Sequence, residues 1–213
     1  MPDNAPRVKI DAVRGYGATI EFCQQMGREE ATAAVIAQTG ATLVHPYNDA
    51  AVIAGQGTAA LELIEDVGDL DVMIAPIGGG GLMSGTSIAT RHLLPDARII
   101  GAEPAAVDDA FRSLQSGKIQ PRVANPETVA DGLLTALGDL TFRTLRWAGV
   151  EIVLVEEPEI VAAALFHIHR MKLVVEPSGA TGLAVVRKLG DAVAGRRVGI
   201  IISGGNTDFS WMR

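Results

Sequence analysis

Val72-Met73-Ile74-Ala75-Pro76-Ile77 runs into Gly78-Gly79-Gly80-Gly81, and a helix-like segment, Leu82 to Leu94, follows at once. The apolar run does not alternate with polar residues, so it reads as a strand buried on both faces, as in a parallel sheet covered by helices. Glycine has no Cβ, so bare glycines let the backbone take positive φ and come close to a ligand. A helix that starts there adds unpaired N–H groups and the positive end of its dipole. Strand, glycine turn and helix in that order make an anion-binding design, suited above all to phosphate.

The alternation extends in both directions from this stretch. Upstream, Pro6 to Tyr16 reads as a helix, Ala18 to Cys23 as a strand, Arg28 to Gln38 as a helix closed by Gly40, and Ala41 to Val44 as a short strand. Asp49 to Val67 reads as a long Ala-rich helix interrupted at Gly55-Gln56-Gly57. Downstream, strands are expected over Arg98 to Ala102, Glu151 to Val155 and Arg197 to Ile202. Helices are expected over Asp108 to Gln115, Asp139 to Ala148, Pro158 to Met171 and Ser178 to Leu189, with Ile119 to Leu134 mostly loop. Repeated βαβ units predict an α/β fold: a doubly wound, mostly parallel sheet with helices on both faces.

Composition agrees. The 213 residues are 48% hydrophobic but only 4% aromatic, so a sizeable core would be built from small and branched aliphatics. The net charge of −7 argues against non-specific nucleic-acid binding. No apolar run is long enough to span a bilayer, and Met1-Pro2-Asp3-Asn4 does not open a signal-peptide core. The single cysteine, Cys23, cannot form an internal disulfide. A cytoplasmic protein with a buried thiol is the simple expectation.

The glycine loop admits three readings. A P-loop needs Lys-Ser or Lys-Thr after its last glycine, and Leu82-Met83-Ser84-Gly85 stands there instead. A dinucleotide site finds a loose pattern in Gly79, Gly81 and Gly85, with Glu103 placed as a ribose-binding acid, but the strict G-x-G-x-x-G spacing is absent. The third reading is a phosphate cup for a cofactor. A ligand-free turn would carry the entropic cost of four glycines without a return. The histidines point nowhere: His167 and His169 lie on different faces of one helix, and His45 stands alone.

Six blocks favour the cofactor. They are His45-Pro46 with Ala51-Val52-Ile53-Ala54-Gly55-Gln56-Gly57-Thr58; the tetraglycine loop with Leu82; Glu103-Pro104; Ala130-Asp131-Gly132; Arg170-Met171-Lys172-Leu173 leading to Glu176-Pro177-Ser178-Gly179-Ala180; and Ser203-Gly204-Gly205-Asn206. In this order they resemble the serine racemase and serine/threonine dehydratase family, fold-type II enzymes that use pyridoxal 5'-phosphate. The resemblance covers nearly the whole chain. It implies a partial small domain over 1–47 and a large cofactor-binding domain over 48–213, in the tryptophan-synthase-β-like fold. It also implies that the N–H groups of Gly78, Gly79, Gly80, Gly81 and Leu82 hold the cofactor phosphate. Ser203 would face the pyridine nitrogen, and Glu176 would lie near the ring edge. Its other reading is a helix N-terminal acid. A divalent cation, Mg²⁺, Ca²⁺ or Mn²⁺, would be held by the Glu103 carboxylate, the Val107 carbonyl and the Asp109 carboxylate. The competing reading has Asp108 or Asp109 capping the short helix that follows.

The chain departs from the family in one respect. The family's Schiff-base lysine lies in a motif resembling Ser-Phe-Lys, and the substrate carboxylate is bound by a Ser-Ser-Gly-Asn-like loop. Neither motif stands here, and the lysines are Lys9, Lys118, Lys172 and Lys188. The resemblance thus implies a chain without its own catalytic lysine, matching the C-terminal part of a lyase or racemase that acts on serine, threonine or 3-hydroxyaspartate. A homodimer, or a partner chain carrying the N-terminal segment, would cover the apolar faces left exposed. The absence of an appended domain after Asn206 aligns it with racemases and catabolic dehydratases. The alternatives are a non-catalytic cofactor-binding or interaction module, or a dinucleotide-binding domain.

Overall fold

The structure is a computed structural model that describes residues 1–3, 5–24 and 27–212. It divides into two compact units, Met1–His45 with Asn206–Arg213, and Pro46–Gly205. The division falls at 45/46 rather than 47/48, and 206–213 group with the first unit rather than with the large one.

The first unit holds α1 (Arg7–Gly15) and α2 (Arg28–Thr39), the latter stopped by Gly40 in the left-handed conformation at φ 68°. The strands expected over 18–23 and 41–44 are not formed. A strand exists only as a hydrogen-bonded pair, and among the described residues of this unit pairing is limited to one isolated bridge between Pro2 and Cys23. Cys23 is half-buried rather than buried, and its thiol donates to the Met1 carbonyl at 3.5 Å.

The second unit is the α/β body. Its four parallel strands are β1 (Val72–Pro76), β2 (Arg98–Pro104), β3 (Glu151–Val155) and β4 (Val198–Ile200), in the order β3-β2-β1-β4. From β1 the chain steps one way to β2 and β3, and β4 lies on the other side, so strand order reverses between β1 and β4. Open α/β sheets bind ligands at such a point, outside the strands' C-terminal ends.

Helices cover both sheet faces. α3 (Ala50–Val67), α4 (Gly81–Leu93) and α6 (Asp139–Ala148) supply Ala60, Ile64, Met83, Phe142 and Leu145, which pack with Met73, Ala75 and Ile77 of β1 and its extension. α8 (Pro177–Leu189) covers the other face, with Gly182 seated on Ile200 and Ile74, and α7 (Glu157–Phe166) packs on α8. The remaining helix, α5 (Asp109–Ser116), follows β2.

Two helices differ from their sequence reading. α3 is continuous through Gly55-Gln56-Gly57, started by Asp49, whose carboxylate accepts the N–H groups of Ala51 and Val52 at 2.8 and 3.0 Å. Gly57 is a contact, not a break: a Cβ there would lie 2.9 Å from the Gly85 carbonyl oxygen of α4. The helix expected over 158–171 is α7 followed by a π-helical turn, His167–Met171, ended by Lys172 at φ 60°.

His167 is 2% exposed, and neither ring nitrogen has a hydrogen-bond partner among the described residues. Burial, then the Arg187 charge, holds its pKa below the ordinary value. The folded state therefore resists protonation more than the unfolded one, and this contribution to stability is lost as pH falls below about 6.5. We expect His167→Leu to lose less stability than the parent between pH 7 and pH 5, by up to about 1.4 kcal/mol per pH unit. Parallel urea midpoints at the two pH values would show it, and parallel losses would refute it.

Candidate functional site

The loops leaving β1 and β4 meet where strand order reverses. Gly78 to Gly80 follow β1, and α4 starts at Gly81 with no side-chain cap. Gly80 is left-handed at φ 86°, and Gly81 is already helical. Left-handed followed by right-handed backbone makes successive N–H groups converge, a concavity for an anion, and the helix dipole adds to it. Gly79, Gly80 and Gly81 are buried, while Gly78 and Leu82 are partly exposed.

The glycines are also demanded from behind. A Cβ at Gly79 would lie 2.5 Å from the Tyr47 ring, and one at Gly81 would lie 2.8 Å from Tyr47 Cβ. At Gly78 it would meet Leu133 at 3.0 Å, and at Gly80 Leu137 at 2.8 Å. Thr141 of α6 donates to the Gly79 carbonyl at 2.9 Å. Asn48 fixes the start of α6, accepting the Leu140 N–H at 3.0 Å and donating to Asp139 at 2.8 Å. The sequence reading passed over Tyr47, Asn48 and Thr141. The one local signal was Thr141 at the third helical position after Gly138-Asp139.

Ser203 leads the turn after β4 and is partly exposed. Gly179 lets the start of α8 approach it, since a Cβ there would lie 2.6 Å from the Ser203 carbonyl oxygen. Glu176 stands beside the same turn. Its N–H donates to the Gly204 carbonyl at 3.2 Å, and a Cβ at Gly204 would lie 3.0 Å from its carboxyl carbon. Ser178 accepts the Gly132 N–H at 3.0 Å, which draws the 131–133 turn between Glu176 and Gly78. Glu176 also occupies the N-cap of α8, without capping it by its side chain.

The acidic residues lie at the C-terminal end of β2. Glu103 is 1% exposed and accepts the N–H groups of Ala110 and Phe111, both at 2.8 Å. It caps α5 from the neighbouring strand, a role the sequence reading gave to Asp108 or Asp109. Asp108 sits at the N-cap with no side-chain cap bond and pairs with Arg112 instead. Glu103 is turned to α5, which removes one of the two observations behind a dinucleotide, the other being the loose pattern of Gly79, Gly81 and Gly85. Asp109 is 2% exposed, and its Oδ2 has no partner among the described residues. Burial, opposed by the two N–H bonds, pushes Glu103 up to about 8, and burial pushes Asp109 up to about 6. Ala110 and Phe111 are the second and third residues of α5, whose N–H groups have no partner inside the helix, and the Glu103 carboxylate serves both. Two buried carboxylates, one with an oxygen that has no partner among the described residues, are hard ligands of the kind a divalent cation takes. Among the described residues no three His, Cys, Asp or Glu side chains gather as a metal cluster, so such an ion would also take backbone oxygen and solvent.

Lys172 donates to the His169 carbonyl at 2.8 Å, and Lys188 pairs with Glu159 at 3.3 Å. No helix among the described residues is long and apolar enough to cross a membrane.

The chain is 47% identical over 215 residues to serine racemase from Dictyostelium discoideum, covering 99% of this chain and 66% of that one. It is 49% identical over 210 residues to beta-hydroxyaspartate dehydratase from Paracoccus denitrificans, covering 98% and 66%. The crystal structure of threonine deaminase from T.th. superposes with a TM-score of 0.89 at 41% identity, covering 99% of this chain and 70% of that one. The chain therefore spans about 66% of the length of the curated relatives it matches, and it shares their α/β architecture. The model of the family described as "Pyridoxal-phosphate dependent enzyme" matches residues 1–204. With the glycine loop, the Ser203 turn and Glu176 gathered at one end of a parallel sheet, the fold and this match agree that the chain belongs to the pyridoxal-phosphate-dependent enzymes.

Proposed function

We propose that the chain is the C-terminal part of a pyridoxal-phosphate-dependent ammonia-lyase (dehydratase) or racemase acting on a small β-hydroxy amino acid: serine, threonine or 3-hydroxyaspartate. The observation that carries the reading is the meeting of the glycine loop and the Ser203-Gly204 turn at the β1/β4 switch point. The relatives' names supply the substrate class.

The residues fit the cofactor. Gly78, Gly79, Gly80, Gly81 and Leu82 offer converging N–H groups to a phosphate, and Ser203 offers a hydroxyl from the neighbouring strand end. Held there, pyridoxal phosphate would supply the electron sink that acidifies the substrate's α-proton. A serine hydroxyl at a ring nitrogen is a weak proton source, unlike a carboxylic acid, and leaves that nitrogen uncharged. The electron demand is then moderate, which suits loss of a β-hydroxyl. Glu176, pinned to Gly204, would sit at the ring edge. Glu103, Val107 and Asp109 would hold Mg²⁺, Ca²⁺ or Mn²⁺ behind the site.

The family's lysine motif does not stand in this sequence, so the lysine that takes the α-proton would come from outside this chain. A partner chain carrying the N-terminal segment, or a homodimer, would supply contacts for Leu61, Ile88, Leu93 and Trp147, apolar side chains left 37 to 68% exposed. The test joins the protein to the N-terminal third of a relative. The product, loaded with cofactor, is expected to release ammonia from, or invert, one of the three amino acids. Neither activity on any of them would refute the reading. A borohydride trap on the chain alone is expected to leave no stoichiometric lysine adduct.

A further inference from the structure

Thr141 is fully buried at the third position of α6. Its hydroxyl has one proton and two lone pairs. One lone pair accepts the Gly138 N–H at 2.9 Å. Two carbonyl oxygens compete for the proton, that of Gly79 at 2.9 Å and that of Gly138 at 3.1 Å. The Gly138 carbonyl already accepts the Phe142 N–H at 2.9 Å, as the first turn of α6 requires. The shorter bond goes to the Gly79 carbonyl, which takes no backbone donor among the described residues.

That bond has a consequence at the next atom. A peptide unit is planar and trans, so its N–H points opposite to its C=O. Holding the Gly79 carbonyl against α6 therefore turns the Gly80 N–H away from α6. Between two glycines the peptide has little steric preference of its own and could flip. Thr141 also stops the following residue from moving: a Cβ at Gly80 would lie 3.0 Å from Thr141 Cβ, so the left-handed Gly80 rests on this side chain. The α6 end is itself fixed, because Asn48 holds Leu140 and Asp139. A hydrogen bond accepted at a carbonyl also strengthens the N–H of the same unit as a donor.

We propose that Thr141 is the positioning residue of the phosphate loop, acting through the Gly79 carbonyl to aim the Gly80 N–H at the anion. This rests on the reading that the loop binds the cofactor phosphate. It adds that the cup is set from behind by a residue that touches no ligand.

The test compares two ligands that differ only in the phosphate. Equilibrium dialysis gives the dissociation constants of pyridoxal phosphate and pyridoxal for the parent, Thr141→Val, Thr141→Ala and Thr141→Ser. The parent is expected to prefer the phosphorylated form. The preference should drop about tenfold in Thr141→Val and Thr141→Ala, the loss of one well-formed hydrogen bond. It should return in Thr141→Ser, with pyridoxal affinity nearly constant throughout. Thr141→Ala adds no bulk and serves if the valine variant fails to fold. Equal weakening of both ligands would mean a merely structural role and overturn the proposal, as would a preference unchanged in either variant. A parent that binds the two alike would overturn the phosphate reading with it, so the two failures are told apart.

Discussion

Alanine at Gly85 is expected to lower the unfolding free energy by about 3 kcal/mol, at the upper end for an overpacked core. The new Cβ would press on the Gly57 nitrogen and the Ile53 carbonyl oxygen and lie 2.9 Å from the Gln56 carbonyl carbon. All three atoms are backbone of α3, and a helix backbone cannot step aside as a side-chain tip can. The two helices would have to part along the line where they pack Ile64 and Met83 into the core. α4 begins at Gly81, so its displacement would also pull on the phosphate loop. The urea midpoint should fall with little change in slope. Gly55 is the control. It lies in α3 with nothing within 4 Å of a Cβ, so alanine there should add about 0.5–1 kcal/mol through helix propensity alone. If the two substitutions behave alike, the α3–α4 contact is not what requires these glycines.

The same pair shows where sequence reading stops. Gly55-Gln56-Gly57 looks like a helix breaker because glycine's local cost is visible and its tertiary purpose is not. Only the structure shows Gly57 facing Gly85 and Gly55 facing solvent. Elements with a strong local signature were legible: α6 and β3 have the expected bounds, and the apolar run before Gly78 is the central strand. The segments 18–23 and 41–44 have strand composition, but pairing is a property of two segments, and no ladder forms along them among the described residues. The glycine loop was legible because its parts are consecutive. Its support was not, since Thr141 reaches Gly79 across 62 positions and Asn48 reaches Asp139 across 91. Glu103 was visible as an acid at a strand end, but its engagement with α5 depends on how β2 and α5 meet in space.

Millimolar Ca²⁺, Mg²⁺ or Mn²⁺ is expected to raise the melting temperature at pH 8, and far less at pH 5. Glu103 is raised to about 8 and Asp109 to about 6, in both cases chiefly by burial. Without a cation, the folded state therefore holds these protons to higher pH than the unfolded state does. The sign follows: their contribution to stability is full below the ordinary carboxylate range and is lost as pH rises toward the folded values. At pH 8 the folded protein must either keep a proton on Glu103 or bury negative charge beside Asp109, whose Oδ2 has no partner among the described residues. A divalent cation would resolve this if it bound the ionised carboxylates with the Val107 carbonyl, and it would release protons as it bound. At a concentration one hundred times its dissociation constant it would contribute about 2.7 kcal/mol, or about 5–10 °C for a chain of this size. At pH 5 protons compete for the same oxygens and the gain shrinks. Asp109→Asn should abolish the response at pH 8, because the amide keeps the shape but offers one oxygen and no charge. Melting curves that match in chelator and in each of the three cations at pH 8 would leave the buried acids as a capping device for α5 and nothing more.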